Sequence, residues 1–221
     1  MTGEGVDASR AIVLLGDVVG SPRVPGQGTT WLRRLCAELE SGYADDRLAP
    51  FAFTQGDELQ GLLLPSADPL RGVLHASLHE GALPMRWAIV HGSIEPGTGL
   101  ANERTGEAYV LARHLVEAAR RQRDGLIMVT GHARSDALLR DLSPVLAELV
   151  RGLSSRQRTV ARLALLDGLR QAEVAGRLDV SRATVSVTFG RARVRSIERL
   201  AAALRVLFRT GVEATAAAAF A

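Results

Sequence analysis

The sequence predicts a ferredoxin-like or palm α+β domain followed by an all-α helix-turn-helix domain, and three observations predict it. Strand and helix patterns alternate over the first 143 residues in the order β-α-β-β-α-β, then α-β. Residues 153–208 carry their apolar side chains at helical spacing, interrupted by tight turns. The charge divides at the same place: residues 151–210 hold 13 arginines against 4 acidic residues, whereas residues 1–150 hold 14 arginines against 19. A net charge of +3 conceals a basic part joined to an acidic one, the footprint of a chain in which one domain faces a polyanion.

Each element has its own signal. Residues 11–15 (Ala-Ile-Val-Leu-Leu) form a continuous apolar run that reads as a buried strand. The run ends at Gly16-Asp17-Val18-Val19-Gly20-Ser21, which puts a carboxylate where the strand opens into a loop. A helix is predicted over 30–41 and a strand over 51–55. A Gly56-Asp57-Glu58 turn then returns the chain through a second strand at 59–64. Helical character at 67–82, a strand at 85–94, a helix at 107–121 and a short strand at 126–130 complete the first domain, with the helices expected on one face of the sheet. The domain is bounded at residue 143, a connecting helix occupies 144–152, and the alanine-rich segment 209–221 is expected to be a flexible tail.

The second domain is the more specific signal. Residues 171–186 read as two short helices set around one turn. Ala175 supplies the small residue where they cross, while Val174, Leu178, Val180 and Val185 share a small core. Asp179 stands at the turn, where Asp tolerates a left-handed backbone, and Ser181 can cap the second helix. That helix should begin at Arg182 and end or bend at Gly190, which costs about 1 kcal/mol relative to Ala inside a helix. If Val185 is buried, Arg182, Ala183, Ser186 and Val187 face outward to read bases. Ser181 and Thr184 are further candidate DNA contacts, and Arg191 and Arg193 are placed to hold phosphates. The chain has no lysine, so every such contact falls to arginine, whose fork matches phosphate and guanine bidentately. The implied partner is double-stranded DNA. Past the motif, Ile197, Leu200, Leu204 and Leu207 predict one apolar stripe on a last helix.

In palm order, the end of strand one and the hairpin between strands two and three lie side by side. Asp17 and Asp57 therefore converge although 40 positions separate them. Convergent carboxylates suit Mg²⁺ or Mn²⁺, which take carboxylate, phosphate and water oxygens. Glu58 and the Val18 carbonyl are additional candidate ligands, and backbone N–H groups of Val19, Gly20 and Ser21 can face the phosphates of a nucleotide. A lone Gly-Asp is more often an ordinary turn. His75 and His79 sit four apart on a helix with no third ligand evident in the sequence, and Cys36 reads as a core residue.

These motifs carry resemblances. Leu-Ser-x-Arg-Gln at 153–157, Gln-x-Glu-Val-Ala at 171–175 and Val-Ser-x-x-Thr-Val-Ser at 180–186 resemble region 4 of bacterial sigma factors and the related LuxR-type effector domain. Asp17-Val18-Val19-Gly20 and Thr54-Gln55-Gly56-Asp57 resemble the two metal-binding motifs of class III nucleotidyl cyclases. Residues 86–92 and 106–112 continue that pattern in order. The resemblance implies a nucleoside triphosphate or other nucleotide as ligand, bound through Gly56, Arg86 and Arg113 among others, and sites built between two subunits of a homodimer. The pattern also departs. Phe53 replaces the purine-selecting lysine, Val110 and His114 fall where the asparagine and arginine act on the triphosphate, and Arg113 is one position out of register. Losing those groups removes a large electrostatic stabilisation of phosphoryl transfer. A cyclase-like domain with a helix-turn-helix tail resembles the SatD family, which implies DNA binding without a settled chemistry.

The expected function is therefore transcriptional regulation, with the first domain binding a metal-nucleotide or mediating dimerisation. An active nucleotidyl cyclase or nucleotidyltransferase with a DNA-binding tail, and a palm domain that only dimerises the tail, are the alternatives. No run approaches the roughly 18 apolar residues of a membrane span. Residues 1–10 lack an apolar signal-peptide core, so a cytoplasmic protein is expected.

Overall fold

The computed structural model describes residues 9–20, 27–53, 57–79, 81–122 and 125–219. Within them five strands and eight α-helices follow in the order β1 (Arg10–Val18), α1 (Gln27–Gly42), β2 (Arg47–Phe53), β3 (Glu58–Leu63), α2 (Pro69–Leu78), β4 (Met85–Ser93), α3 (Glu107–Gln122), β5 (Leu126–Val129), α4 (Ala133–Arg151), α5 (Ser155–Leu165), α6 (Gln171–Arg177), α7 (Arg182–Arg191) and α8 (Val194–Ala219). The sheet order is β2-β3-β1-β4-β5, with β1 antiparallel to both β3 and β4 and β5 added parallel to β4. This is the expected α+β palm order. β1 lies at its centre because its unbroken apolar run can be covered on both faces.

Both faces are in fact covered, which corrects the expectation of helices on one side. Ile12 and Leu14 point into a core with α1, α2, α4 and α8, whereas Ala11, Val13 and Leu15 pack on the opposite face against Ala108, Ala112 and Val116 of α3. The helix between parallel strands β4 and β5 thus crosses over the other side of the sheet from α1 and α2. Two glycines of the cyclase-like pattern find a packing reason here. Gly106 has a φ of +135° and abuts the backbone at Ile94, and Gly92 faces Ala108, so β4 and α3 approach closely only without a Cβ.

The second half of the chain does not hang from the first. Residues 144–151 do not form a separate connecting helix: they continue α4, which runs through Pro144, buries Leu139, Ser143, Leu146 and Val150, and is capped by Gly152. The buried Ser143 hydroxyl lies 2.6 Å from the Leu139 carbonyl and 3.1 Å from that of Leu126 on β5, anchoring the middle of α4 to the sheet. Helix α8 lies along α4, and its buried seam is Ile197, Ala201, Leu204, Phe208 and Val212. Leu200 and Leu207, expected in that stripe, are only half-buried at its edge. Residues 209–219, expected as a flexible tail, are the last turns of this helix. Gly211 meets Thr130 and Ser135 where no Cβ fits, and Thr215 donates from Oγ1 to the Thr130 carbonyl at 3.0 Å. Arg205 adds an ion pair to Asp68, the N-cap of α2, at 2.7 Å.

One continuous core therefore serves the sheet and the last helix. Leu204→Ala should cost about 2–5 kcal/mol. Urea melts followed by helical circular dichroism and by the fluorescence of Trp87, which is buried on the sheet, should shift together to lower midpoints. A melt in which only the helical signal moves would show two independent units.

Candidate nucleic-acid interface and the acidic end of the central strand

Asp17 lies within β1, one residue earlier than the strand's end, and is only 4% exposed. Its cross-strand partners are Glu58 on β3 and Arg86 on β4. Directly paired residues project to the same face, so the three side chains form one row beneath α3. Asp17 Oδ2 lies 3.4 Å from Arg86 Nη1 and 3.3 Å from Nη2 of Arg120, which reaches down from the last turn of α3. The Glu58 carboxylate accepts from the Gln60 amide. The backbone brings Asp57 to the same end, because its carbonyl accepts from Val18 N at 2.9 Å. The backbone thus brings positions 17, 57 and 58 to one end of the sheet, with the Asp17 and Glu58 carboxylates engaged by other side chains.

The surroundings of that cluster differ from those expected. Arg120 was not foreseen, although its position four residues after the buried Val116 places it at the edge of the packed face of α3. The Val19 N–H, expected to face phosphates, donates to the Pro84 carbonyl at 2.7 Å, and the Val18 N–H is taken by Asp57. Gly20, at φ +65°, follows as the chain leaves the strand, while Ser21 and Gly56 lie outside the described residues. Arg113 is exposed two helical turns before Arg120 on α3, and no contact joins it to Asp17. As arranged, Asp17 is committed to two guanidinium groups, and among the described residues no three His, Cys, Asp or Glu side chains converge as metal ligands. A divalent ion would have to displace the arginines, so this donor set does not fit one without rearrangement.

The helix-turn-helix is held by a separate small core of Val160, Leu163, Val174, Ala175 and Val185, with Leu178, Val180 and Phe189 packed on it. Three signature residues take part in helix caps. Gln157 Oε1 accepts from Ser154 N while Ser154 Oγ accepts from Gln157 N, and Glu173 accepts from Arg170 N at 2.7 Å. Asp179 takes the left-handed turn at φ +49°. Ser181 caps α7, accepting from Thr184 N at 3.1 Å, and its hydroxyl pairs with that of Thr184 at 2.8 Å. These two hydroxyls therefore fix the start of α7 rather than stand free for bases. Val185 is buried, and Arg182, Ala183, Ser186 and Val187 face solvent, Val187 with 55% of its surface exposed. The helix ends one residue past Gly190, and Arg193 turns the chain into α8 at φ +51°. Arg182, Arg191, Arg193 and Arg195 are all exposed and make no ion pair among the described residues.

Residues 145–195 match the family Sigma-70, region 4. The match begins inside α4 and ends at the start of α8, so it spans the whole sigma-like helix set, including α7. No curated protein sequence matches the chain. Among solved structures, a bacterial light-regulated adenylyl cyclase is similar at 16% identity over 54% of this chain and 75% of that one, with a TM-score of 0.40. A regulator of polyketide synthase expression from Bifidobacterium adolescentis is similar at 14% identity over 90% of this chain and 81% of that one, with a TM-score of 0.27. Both likenesses are too distant to bear on function. No helix among the described residues is long and apolar enough to cross a membrane.

Burial holds the Asp17 carboxyl above its ordinary value of 3.8. The Arg120 hydrogen bond opposes this, Asp57 adds to it, and the charges of Arg120 and Arg86 act against it. Because the folded-state value exceeds the unfolded one, the folded protein binds more protons between them. The stability that Asp17 contributes is therefore largest below pH 3.8 and is lost as pH rises through the raised value. Asp17→Asn removes this titration. Urea unfolding from about pH 3.5 to 7 should show the stability of the wild type relative to the variant falling as pH rises. A constant difference would mean that the Asp17 value is not raised.

Proposed function

We propose that this protein is a DNA-binding transcriptional regulator that reads its operator with α7. The observation that carries the reading is the outward face of α7. Arg182, Ala183, Ser186 and Val187 are exposed on it, with unpaired arginines at 191, 193 and 195 beyond, on a helix inside the sigma-70 region 4 match. Helix α7 packs against α5, α6 and α8, which leaves this face clear of the sheet. Arg182 and Ser186 project one turn apart toward base edges in a major groove, and Val187 offers an apolar surface to a thymine methyl. Arg191 and Arg193 neutralise phosphates and position the helix. The organisation supports a SatD-like regulator, in which a cyclase-like domain carries the helix-turn-helix. Operators selected from a random duplex pool supply the specific sequence. On it Arg182→Ala should cost about 1–3 kcal/mol and relax the preference at one base pair, whereas Arg193→Ala should weaken all duplexes alike and flatten the salt dependence. Anisotropy titrations at several salt concentrations check both. Equal losses on selected and random duplexes for Arg182→Ala would remove α7 as the reading helix.

A second reading is favoured by the convergence of Asp17, Asp57 and Glu58 at one strand end. In it this cluster holds Mg²⁺ or Mn²⁺ with a nucleotide, once Arg86 and Arg120 release Asp17 to meet the phosphates, and two copies of the chain pair as a homodimer. Paired α7 helices would then favour inverted repeats with half-sites about 10 to 10.5 base pairs apart. Calorimetry with each nucleoside triphosphate and Mg²⁺ should show binding that is lost in Asp17→Asn and in Asp57→Asn. Binding that is absent, or unchanged in both variants, identifies the cluster as a structural ion pair. A solution mass that stays monomeric at all concentrations would rule out the homodimer.

A further inference from the structure

Helices α4 and α8 carry more apolar surface than their shared seam uses. On α4, Leu138, Leu142, Val145 and Leu149 recur at i, i+4, i+7 and i+11 and form a second stripe beside the buried one. Leu138 is 46% and Val145 44% exposed, while Leu142 and Leu149 are half-buried. On α8, Leu200, Ala203 and Leu207 repeat the pattern, Ala203 exposed and the two leucines half-buried. Ser143 of α4 reaches the Leu126 carbonyl and Arg205 of α8 reaches Asp68, which marks the sheet side of each helix. Both stripes lie on the other side. They form one apolar face that looks away from the sheet, and an exposed face of this kind marks an interaction surface.

The charges along its edges say what fits there. Gly211, late in α8, abuts Ser135 in the first turn of α4, and the α8 seam runs back from that contact along α4, so the two helices are antiparallel. In this register Glu148 and Arg199 stand at one height, and Arg134 and Glu213 at another. Each pair is split between the outer edge of α4 and the outer edge of α8, about 20 Å apart across two helices. All four side chains are exposed and make no ion pair among the described residues. A second copy turned about a two-fold axis parallel to the helices lays its α4 against this α8, and both edges then bring Glu148 to Arg199 and Arg134 to Glu213. We propose that this face is the contact between two copies of the chain, paired face to face about such an axis. The pairing needs no nucleotide at Asp17. The stripes extend about 17 Å along helices about 10 Å across, at the small end of specific interfaces, so the dimer is a reversible one. Both copies point the same way along the axis. Their α7 helices therefore stand at one end, where a single duplex can meet both, a consequence that rests on the DNA-binding reading.

The test is sedimentation equilibrium of the full chain over a range of concentrations. The expected result is a monomer–dimer equilibrium that Val145→Glu weakens at least tenfold with its circular dichroism unchanged. Glu148→Arg and Arg199→Glu should each weaken it at least threefold, because each sets like charges together on both edges, and the double variant should restore the wild-type constant to within about twofold. A chain that stays monomeric overturns the proposal and leaves the face to a protein of another kind. A dimer indifferent to Val145→Glu overturns this face as the contact. A double variant as weak as the singles overturns the parallel axis, since an axis across the helices sets α4 on α4 and Glu148 near Arg134 instead. On a selected operator Val145→Glu should lower affinity at least fivefold. Unchanged operator affinity beside a weakened dimer overturns the shared duplex alone. Failure of the wild type to bind any duplex overturns the DNA reading and leaves sedimentation to decide the interface.

Discussion

The structure depends on the apolar seam between α4 and α8. Leu139, Leu146 and Val150 on one helix and Ile197, Leu204, Phe208 and Val212 on the other join the core beneath the sheet. Helix α4 belongs to both halves: it covers β5 after the chain leaves the sheet, and it leads directly into the helix-turn-helix. Helix α8 then returns the chain from the reading helix to the end of β5, where Gly211 permits close approach to Thr130. The burial of large side chains on this seam is the term that fixes the angle at which α7 is presented. A flexible linker would have left that angle free.

Electrostatics divides along the same plan. At the sheet, acidic side chains are met by arginines from the fold itself: Asp17 by Arg86 and Arg120, Asp68 by Arg205, and Glu38 by Arg34 and the imidazoles of His75 and His79. Glu38 is drawn down to about 2 because those hydrogen bonds together outweigh its desolvation. It is also the third member of the His75 and His79 cluster that spacing alone did not reveal. Along α7 and the start of α8 the arginines stay exposed and unanswered, which is the arrangement a polyanion requires. Asp17, Asp68 and Glu38 are thus answered by cations within the fold, whereas the arginines of α7 and the start of α8 point outward.

The helix-turn-helix was legible in the sequence nearly residue by residue. Its determinants are local: the Ser181 cap, the Asp179 turn, the buried Val185 and the small Ala175 all act within a few positions of one another. The palm order was legible for the same reason, since strand and helix periods alternate along the chain and palm topology follows from their succession. The acidic end of β1 was legible only in part. Asp17, Asp57 and Glu58 converge because a hairpin returns beside its neighbouring strand, but the commitment of Asp17 to Arg120, 103 positions away, depends on how far the last turn of α3 reaches over the sheet.

Local sequence thus decided which residues form elements, which cap them, and which face of α7 is free. Tertiary structure alone decided that α3 crosses to the far face of the sheet, that residues 144–151 and 209–219 are the last turns of α4 and α8, and that these two helices join the core beneath the sheet. The physical reason is that an apolar stripe states only that it must be buried. Ile197, Leu204, Phe208 and Val212 satisfy that demand equally well against a partner chain or against α4. Only the three-dimensional arrangement of β5, Thr130 and Gly211 selects the second.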